Sequence, residues 1–266
     1  MSELTTRILF AIPAAALLLF ITWIGGWPFQ LLIGLIALFT IWELHHILKN
    51  AKTPGYLVLS VIIGAFIWFS AHIPPVYVAA GAVLLLLITL WAILDRKTKV
   101  SGVWLSSLFA GIYISVGFLM LVYIRGLGES IEGFWLTLAL FFMIWGNDVF
   151  AYFGGKNFGK RKLAPVISPN KTWEGFWSGF LGAAVGFFLT YWIADSFPLP
   201  LWSVIPAVII VSVFGPLGDI LESSLKRKAG VKDSSSILPG HGGFFDRFDS
   251  LILSAPIIFF YFYLIL

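Results

Sequence analysis

The chain has 266 residues, 59% hydrophobic and 11% charged, with a mean hydropathy of +0.96; soluble domains carry roughly 25% charged residues. Its net charge of +4 does not point to nucleic acid, because the cations sit in short loops beside apolar runs. The absence of cysteine excludes disulfides, thiol catalysis and cysteine-ligated zinc or iron–sulfur sites.

Apolar runs of about twenty residues recur along the chain and predict membrane-spanning helices. The first run, Ile8 to Ile24, is longer than the apolar core of a secretory signal, and no small-residue cleavage site follows it. It is expected to be the first span. Nine spans are predicted, at 7–24, 28–47, 55–71, 76–94, 103–124, 133–153, 175–193, 201–218 and 250–266. The expected fold is therefore all-α, a polytopic integral membrane helix bundle. With the N-terminus cytoplasmic and the C-terminus outside, all 17 Lys and Arg except Arg125 fall on the cytoplasmic side, as the positive-inside rule requires. Three regions follow: 1–100 with spans one to four, 101–174 with a cytoplasmic basic loop, and 175–266 with a cytoplasmic polar loop at 219–249.

Span two ends in Glu43, His45 and His46, which read as interfacial polar residues at a helix end. The external connections are short and poor in charge, and the polar mass lies in 154–174 and 219–249. No internal repeat is visible, unlike many secondary transporters. Span six carries Asn147 and Asp148, and an ionisable group inside an apolar span is costly enough to imply a cavity or a partner. Gly155-Lys156 is not a P-loop, because Phe150 stands at the first glycine position and Asn157 at the Ser/Thr position. Lys171 beside Thr172 and Glu174 looks more specific than a topology signal, and the segment from Asp148 to Glu174 is expected to supply half of a site.

The other half is predicted around span eight. In helical geometry Asp219, Glu222, Ser223 and Lys226 fall on one face, and Asp246 and Asp249 are three apart at the start of span nine. Folding these ends together would bring three or four carboxylates into one place, where mutual repulsion calls for a cation. Oxygen ligands select a hard ion, and Mg²⁺ is the expected one. Between them, the backbone of Gly240-His241-Gly242-Gly243 can meet phosphate oxygens, although a simple turn explains it equally well.

These residues carry a family resemblance. Ser223, Leu225-Lys226-Arg227, Lys232-Asp233, Ser235, Leu238-Pro239, His241-Gly242-Gly243-Phe244 and Asp246-Arg247-Phe248-Asp249 match, position by position, the signature of the phosphatidate cytidylyltransferases (CDP-diacylglycerol synthases). The upstream block from Trp145 through Ser168-Pro169-Asn170-Lys171-Thr172-Trp173-Glu174-Gly175 also resembles the family. It departs from the pattern at Val149-Phe150, where the family tends to small or hydroxyl residues. The resemblance implies a multi-pass enzyme of the inner (plasma) membrane with a cytoplasmic site, acting as a homodimer on CTP and phosphatidate among membrane lipids. CDP-diacylglycerol and pyrophosphate are the implied products, with Mg²⁺ and room for a second cation. The implied metal ligands are Asp219, Glu222, Asp246 and Asp249. The catalytic set is Asp219, Lys226, Arg227, His241, Asp246 and Arg247. Substrate binding falls to Asp148, Lys171, Ser223, Lys226, Arg227, Gly242 and Gly243. The alternatives are a membrane transporter, which would spread its polarity along several spans, and a CTP-dependent enzyme acting on another lipid.

Overall fold

The computed structural model describes residues 3–94 and 100–266. Arg96, Lys97 and Lys99, on which the predicted topology partly rests, lie outside the described residues. Among the described residues the chain forms nine α-helices: α1 (Glu3–Ile24), α2 (Gly26–Asn50), α3 (Leu57–Phe69), α4 (Pro75–Leu94), α5 (Val100–Arg125), α6 (Ser130–Phe158), α7 (Trp173–Ile193), α8 (Val204–Lys228) and α9 (Phe245–Ile265). Six of them, α2 and α5 to α9, are long and apolar enough to cross a membrane, while α1, α3 and α4 carry shorter apolar stretches. The molecule is an all-α, polytopic membrane protein. Helices satisfy their own backbone groups, which is what an apolar surrounding demands.

Each predicted span coincides with a helix, but three helices outrun their apolar stretch. α6 continues to Phe158, α8 continues to Lys228 and α9 begins at Phe245. Much of the polar sequence is thereby held on rigid helix rather than on loop, at one end of the bundle.

The tightest seam runs between α6 and α7. Gly175, Gly179, Gly182 and Gly186 are buried along one face of α7, spaced as small residues are in close membrane-helix pairs. A Cβ at Gly182 would collide with the carbonyl of Gly146 on α6, and one at Gly186 with that of Phe142. The two backbones touch where the side chains are absent. α5 lies at the centre of the remaining helices, packed on α3, α9 and α2, with Ile114, Phe118, Leu121 and Ile124 fully buried.

Arg125, the one cation predicted outside, is almost wholly buried. Its guanidinium donates to the carbonyls of Thr22 (2.6 Å) and Trp23 (3.1 Å) at the end of α1, and of Ser130 (2.7 Å) at the start of α6. Two of these are carbonyls that the C-terminus of α1 leaves bare.

The basic loop after α6 differs from an irregular connection. It contains a two-stranded antiparallel hairpin, β1 (Lys162–Ala164) and β2 (Ser168–Thr172), with Lys162 opposite Thr172 and Ala164 opposite Ser168. The base of the hairpin is pinned from α7: Glu174 Oε2 accepts the N–H groups of Lys160 (3.0 Å) and Arg161 (3.2 Å). Thr172 ends β2 and caps α7, its hydroxyl accepting the Gly175 N–H at 3.1 Å, as N-cap threonines do. The motif from Ser168 to Gly175 is thus a strand that turns directly into a capped helix, and it presents Lys171 inward.

Candidate active site

The tail of α8 displays Asp219, Glu222, Ser223 and Lys226 on one face. The first turns of α9 display Asp246 and Asp249 toward it. Close approach of the two helices is possible because Gly218 has no side chain where the Asp249 carbonyl passes. One carboxylate oxygen from each of Asp219, Glu222 and Asp249 lies within 4.8 Å of the others. Three like charges at this distance repel strongly in a poorly solvated site.

Part of that charge is answered by lysines. Lys171, carried in by β2, places Nζ 2.6 Å from Asp219 Oδ2, and Ser223 Oγ donates to Asp219 Oδ1 at 3.2 Å. Lys226 Nζ lies 2.7 Å from Glu222 Oε1 and 2.6 Å from Asp246 Oδ1. Glu222 is buried, with Lys226 as the cation beside it, and it belongs to the three-carboxylate cluster. Hard-cation coordination by carboxylate oxygens would offset the charge that the lysines leave, so these residues fit a divalent ion.

Two cavities meet at this point. The larger, about 630 Å³, runs between α6, the hairpin and α7, and its lining includes Asn147, Asp148, Lys156, Lys162, Lys171 and Asp219. The smaller, about 290 Å³, lies between α8 and α9, and its lining includes Glu222, Ser223, Asp233, Asp246, Arg247 and Asp249. Asp148 and Asp219 line both. The halves expected from the two polar blocks therefore form one cleft, joined by Lys171 and Asp219. Its size is that of ordinary ligand sites. Asn147 forms part of the floor, buried, with Nδ2 unpartnered among the described residues.

The other expected site residues differ in how close they lie to the cleft. Asp246 is not one of the three mutually close carboxylates but adjoins them through Glu222 and Lys226. Its Oδ1 faces Lys226, while Oδ2 accepts the Ser234 N–H (2.9 Å) and the Gly243 N–H (2.8 Å) and shares with Glu43 the one proton of the Ser234 hydroxyl, 2.9 Å away. Lys226 is buried between two carboxylates, so its charge is already engaged. The glycine segment is a turn: His241 N–H bonds the Leu238 carbonyl at 2.9 Å, with Gly240 and Gly242 at φ of 74° and 79°, a backbone region open chiefly to glycine. Gly242 and Gly243 give close approach to Asp246, and the Gly243 N–H is spent on that carboxylate. His241 holds the Pro239 carbonyl (3.1 Å) and lies tilted against Phe10, ring centroids 5.6 Å apart; it lines neither cavity. Arg227 turns away to the carbonyls of Ile167 (3.4 Å) and Val231 (3.3 Å). Arg247 is exposed and lines the smaller cavity.

Glu43 is the residue the sequence reading missed. It is no interfacial side chain but wholly buried, bonded to the loop between α8 and α9. Its Oε1 accepts from Ser235 Oγ (2.7 Å) and the Phe244 N–H (3.0 Å), and its Oε2 from Ser234 Oγ (3.1 Å) and the Phe245 N–H (2.7 Å). The sequence offered one signal, an acid a full turn inside the polar end of an apolar span.

The cytidylyltransferase family model matches residues 5–265. The chain belongs to the cytidylyltransferase family. Relatives agree along nearly the whole length. One from Bacillus subtilis (strain 168), named phosphatidate cytidylyltransferase, is 38% identical over 271 residues, covering 98% of each chain. A protein of the same name from Staphylococcus haemolyticus (strain JCSC1435) is 36% identical over 260 residues, covering 95% of this chain and 96% of its own. Another from Staphylococcus aureus (strain COL) is 44% identical over 147 residues, about half of either chain.

Proposed function

We infer that the chain transfers the cytidylyl group of CTP to phosphatidate, yielding CDP-diacylglycerol and pyrophosphate. An oxygen of the lipid phosphate attacks the α-phosphorus of CTP, a new P–O bond forms, and the bond to the bridging oxygen breaks as pyrophosphate leaves. The attacking phosphate is already an anion at neutral pH, so no strong general base is needed. What the site must do is hold two anions together in line and offset their repulsion.

The observation that carries this reading is the Lys171–Asp219 contact, 2.6 Å, which joins a cation-lined cavity to a carboxylate cluster. Asp219, Glu222 and Asp249 are proposed to hold Mg²⁺, which when bound supplies charge neutralisation at phosphoryl oxygens. Lys171 and Arg247 face the cleft with cationic groups for substrate phosphates, and Lys156 and Lys162 extend this lining toward the hairpin. Asp148 lies between the cavities, as a residue shared by both substrates would. Asp246 and Lys226 are proposed to shape the site rather than to touch phosphate. The chain is proposed to cross the inner membrane nine times, N-terminus inside and C-terminus outside, with the cleft cytoplasmic and the enzyme a homodimer.

Conversion of labelled CTP with phosphatidate by the purified, reconstituted protein tests the reading. CDP-diacylglycerol should form with Mg²⁺ and not after chelation. Its absence under every divalent cation would overturn the assignment.

A further inference from the structure

Glu43 belongs to α2, a helix that contributes nothing to either cavity lining, yet it is tied to the loop that carries the acid cluster. Burying a carboxylate is costly unless its lone pairs are filled, and here they are filled from one source. Ser234 and Ser235 lie within the loop between α8 and α9, and Phe244 and Phe245 at its junction with α9, with donor distances of 2.7 to 3.1 Å. The last two N–H groups open α9, so Glu43 also sits at the positive end of that helix. Gly243 leaves the room: a Cβ there would strike both Glu43 and Ser234.

The connection continues into the site. Ser234 Oγ lies 3.1 Å from Glu43 and 2.9 Å from Asp246, Asp246 holds Lys226 at 2.6 Å, and Lys226 faces Glu222 at 2.7 Å. Packing alone does not call for a charge at position 43, since an apolar side chain fills such space at lower cost. We propose that Glu43 is a positioning residue for cytidylyl transfer: it fixes the Ser234–Phe245 loop and, through Ser234, Asp246 and Lys226, sets Glu222 against Asp219 and Asp249. This rests on the function inferred above.

The test uses the full chain in lipid, comparing Glu43→Gln and Glu43→Asp with wild type by kinetics, hydrogen exchange and Mn²⁺ binding followed by spin resonance. Glu43→Gln should lower kcat about 100-fold, the scale of a small misplacement at a reacting centre, with KM for CTP unchanged. Exchange of the Phe244 and Phe245 amides should quicken while α6 and α7 stay protected, and Mn²⁺ should bind more weakly. Glu43→Asp, which keeps the charge, should restore part of each effect. Should Glu43→Gln not fold, Ser235→Ala removes a single donor and should give the same pattern on a smaller scale. Unchanged kcat per folded molecule, or a rise in CTP KM alone, would overturn the proposal. An inactive wild type would instead sink the functional reading, and the exchange and Mn²⁺ measurements would still report on the loop.

Discussion

Lys171 Nζ reaches Asp219 Oδ2 at 2.6 Å, linking the return strand of the hairpin to the tail of α8. Both side chains keep some solvent contact, with 22% and 34% of their surface exposed, so the pair adds little to folding. Lys171→Met should change unfolding free energy by less than about 1 kcal/mol. It should nonetheless lower kcat/KM about 10²- to 10³-fold, as loss of a preorganised charge does. Lys171→Arg should restore only part, since a planar guanidinium does not replace a compact ammonium. Steady-state kinetics beside denaturant titration separates the two effects, and a large loss of stability would contradict this account.

Lys226 is the opposite case. It is buried between Glu222 and Asp246, whose side chains are 1% and 5% exposed. Lys226→Met strands two carboxylates and should cost about 3–5 kcal/mol of stability. Adding Glu222→Gln should recover a measurable part of that loss. Thermal unfolding in detergent checks both, and a Lys226→Met protein as stable as wild type would show the charges are otherwise compensated.

Asp219 and Asp246 should separate by kind of failure. Asp219→Asn removes a member of the three-carboxylate cluster, so the half-saturating Mg²⁺ concentration should rise while the melting temperature stays near wild type. Asp246→Asn turns an amide toward either Lys226 or the Ser234 and Gly243 donors, and should cost about 1–3 kcal/mol with little change in Mg²⁺ dependence. Metal titrations and melting curves on the pair of variants decide the matter. The reverse pattern would return Asp246 to the metal.

The chain has no cysteine, so single introduced thiols report membrane sidedness without background. Ser196→Cys, between α7 and α8, should react with an impermeant maleimide only from outside. Lys160→Cys, before the hairpin, should react only from the cytoplasmic side. Labelling of both from one face, or with the sides exchanged, would refute the proposed orientation.

Helix positions were legible because an apolar run near twenty residues has few other folds available to it. The stripe of Asp219, Glu222, Ser223 and Lys226 was legible for a similar reason, since helical spacing is local. Partner choice was not. Nothing in the spacing says that Lys226 faces Asp246, leaving Asp219 to Lys171. Glu43 was hidden most completely, for its four donors lie 191 to 202 residues further along the chain. At short range it sits beside His45 and His46 and looks like an ordinary helix end. The hairpin escaped because strands of three and five residues leave almost no periodicity to read, and Pro169 in the second argues locally against it.

The glycine seam between α6 and α7 has a mechanical consequence. Backbones in direct contact cannot slide past one another without opening a void, and close-packed interiors resist that. α6, α7 and the hairpin clamped to them by Glu174 therefore behave as one stiff plate, with Asp148 and Lys171 fixed in its surface. Lys171 and Asp219 meet where this plate borders α8, so a single contact ties the plate to the helix that carries the acid cluster.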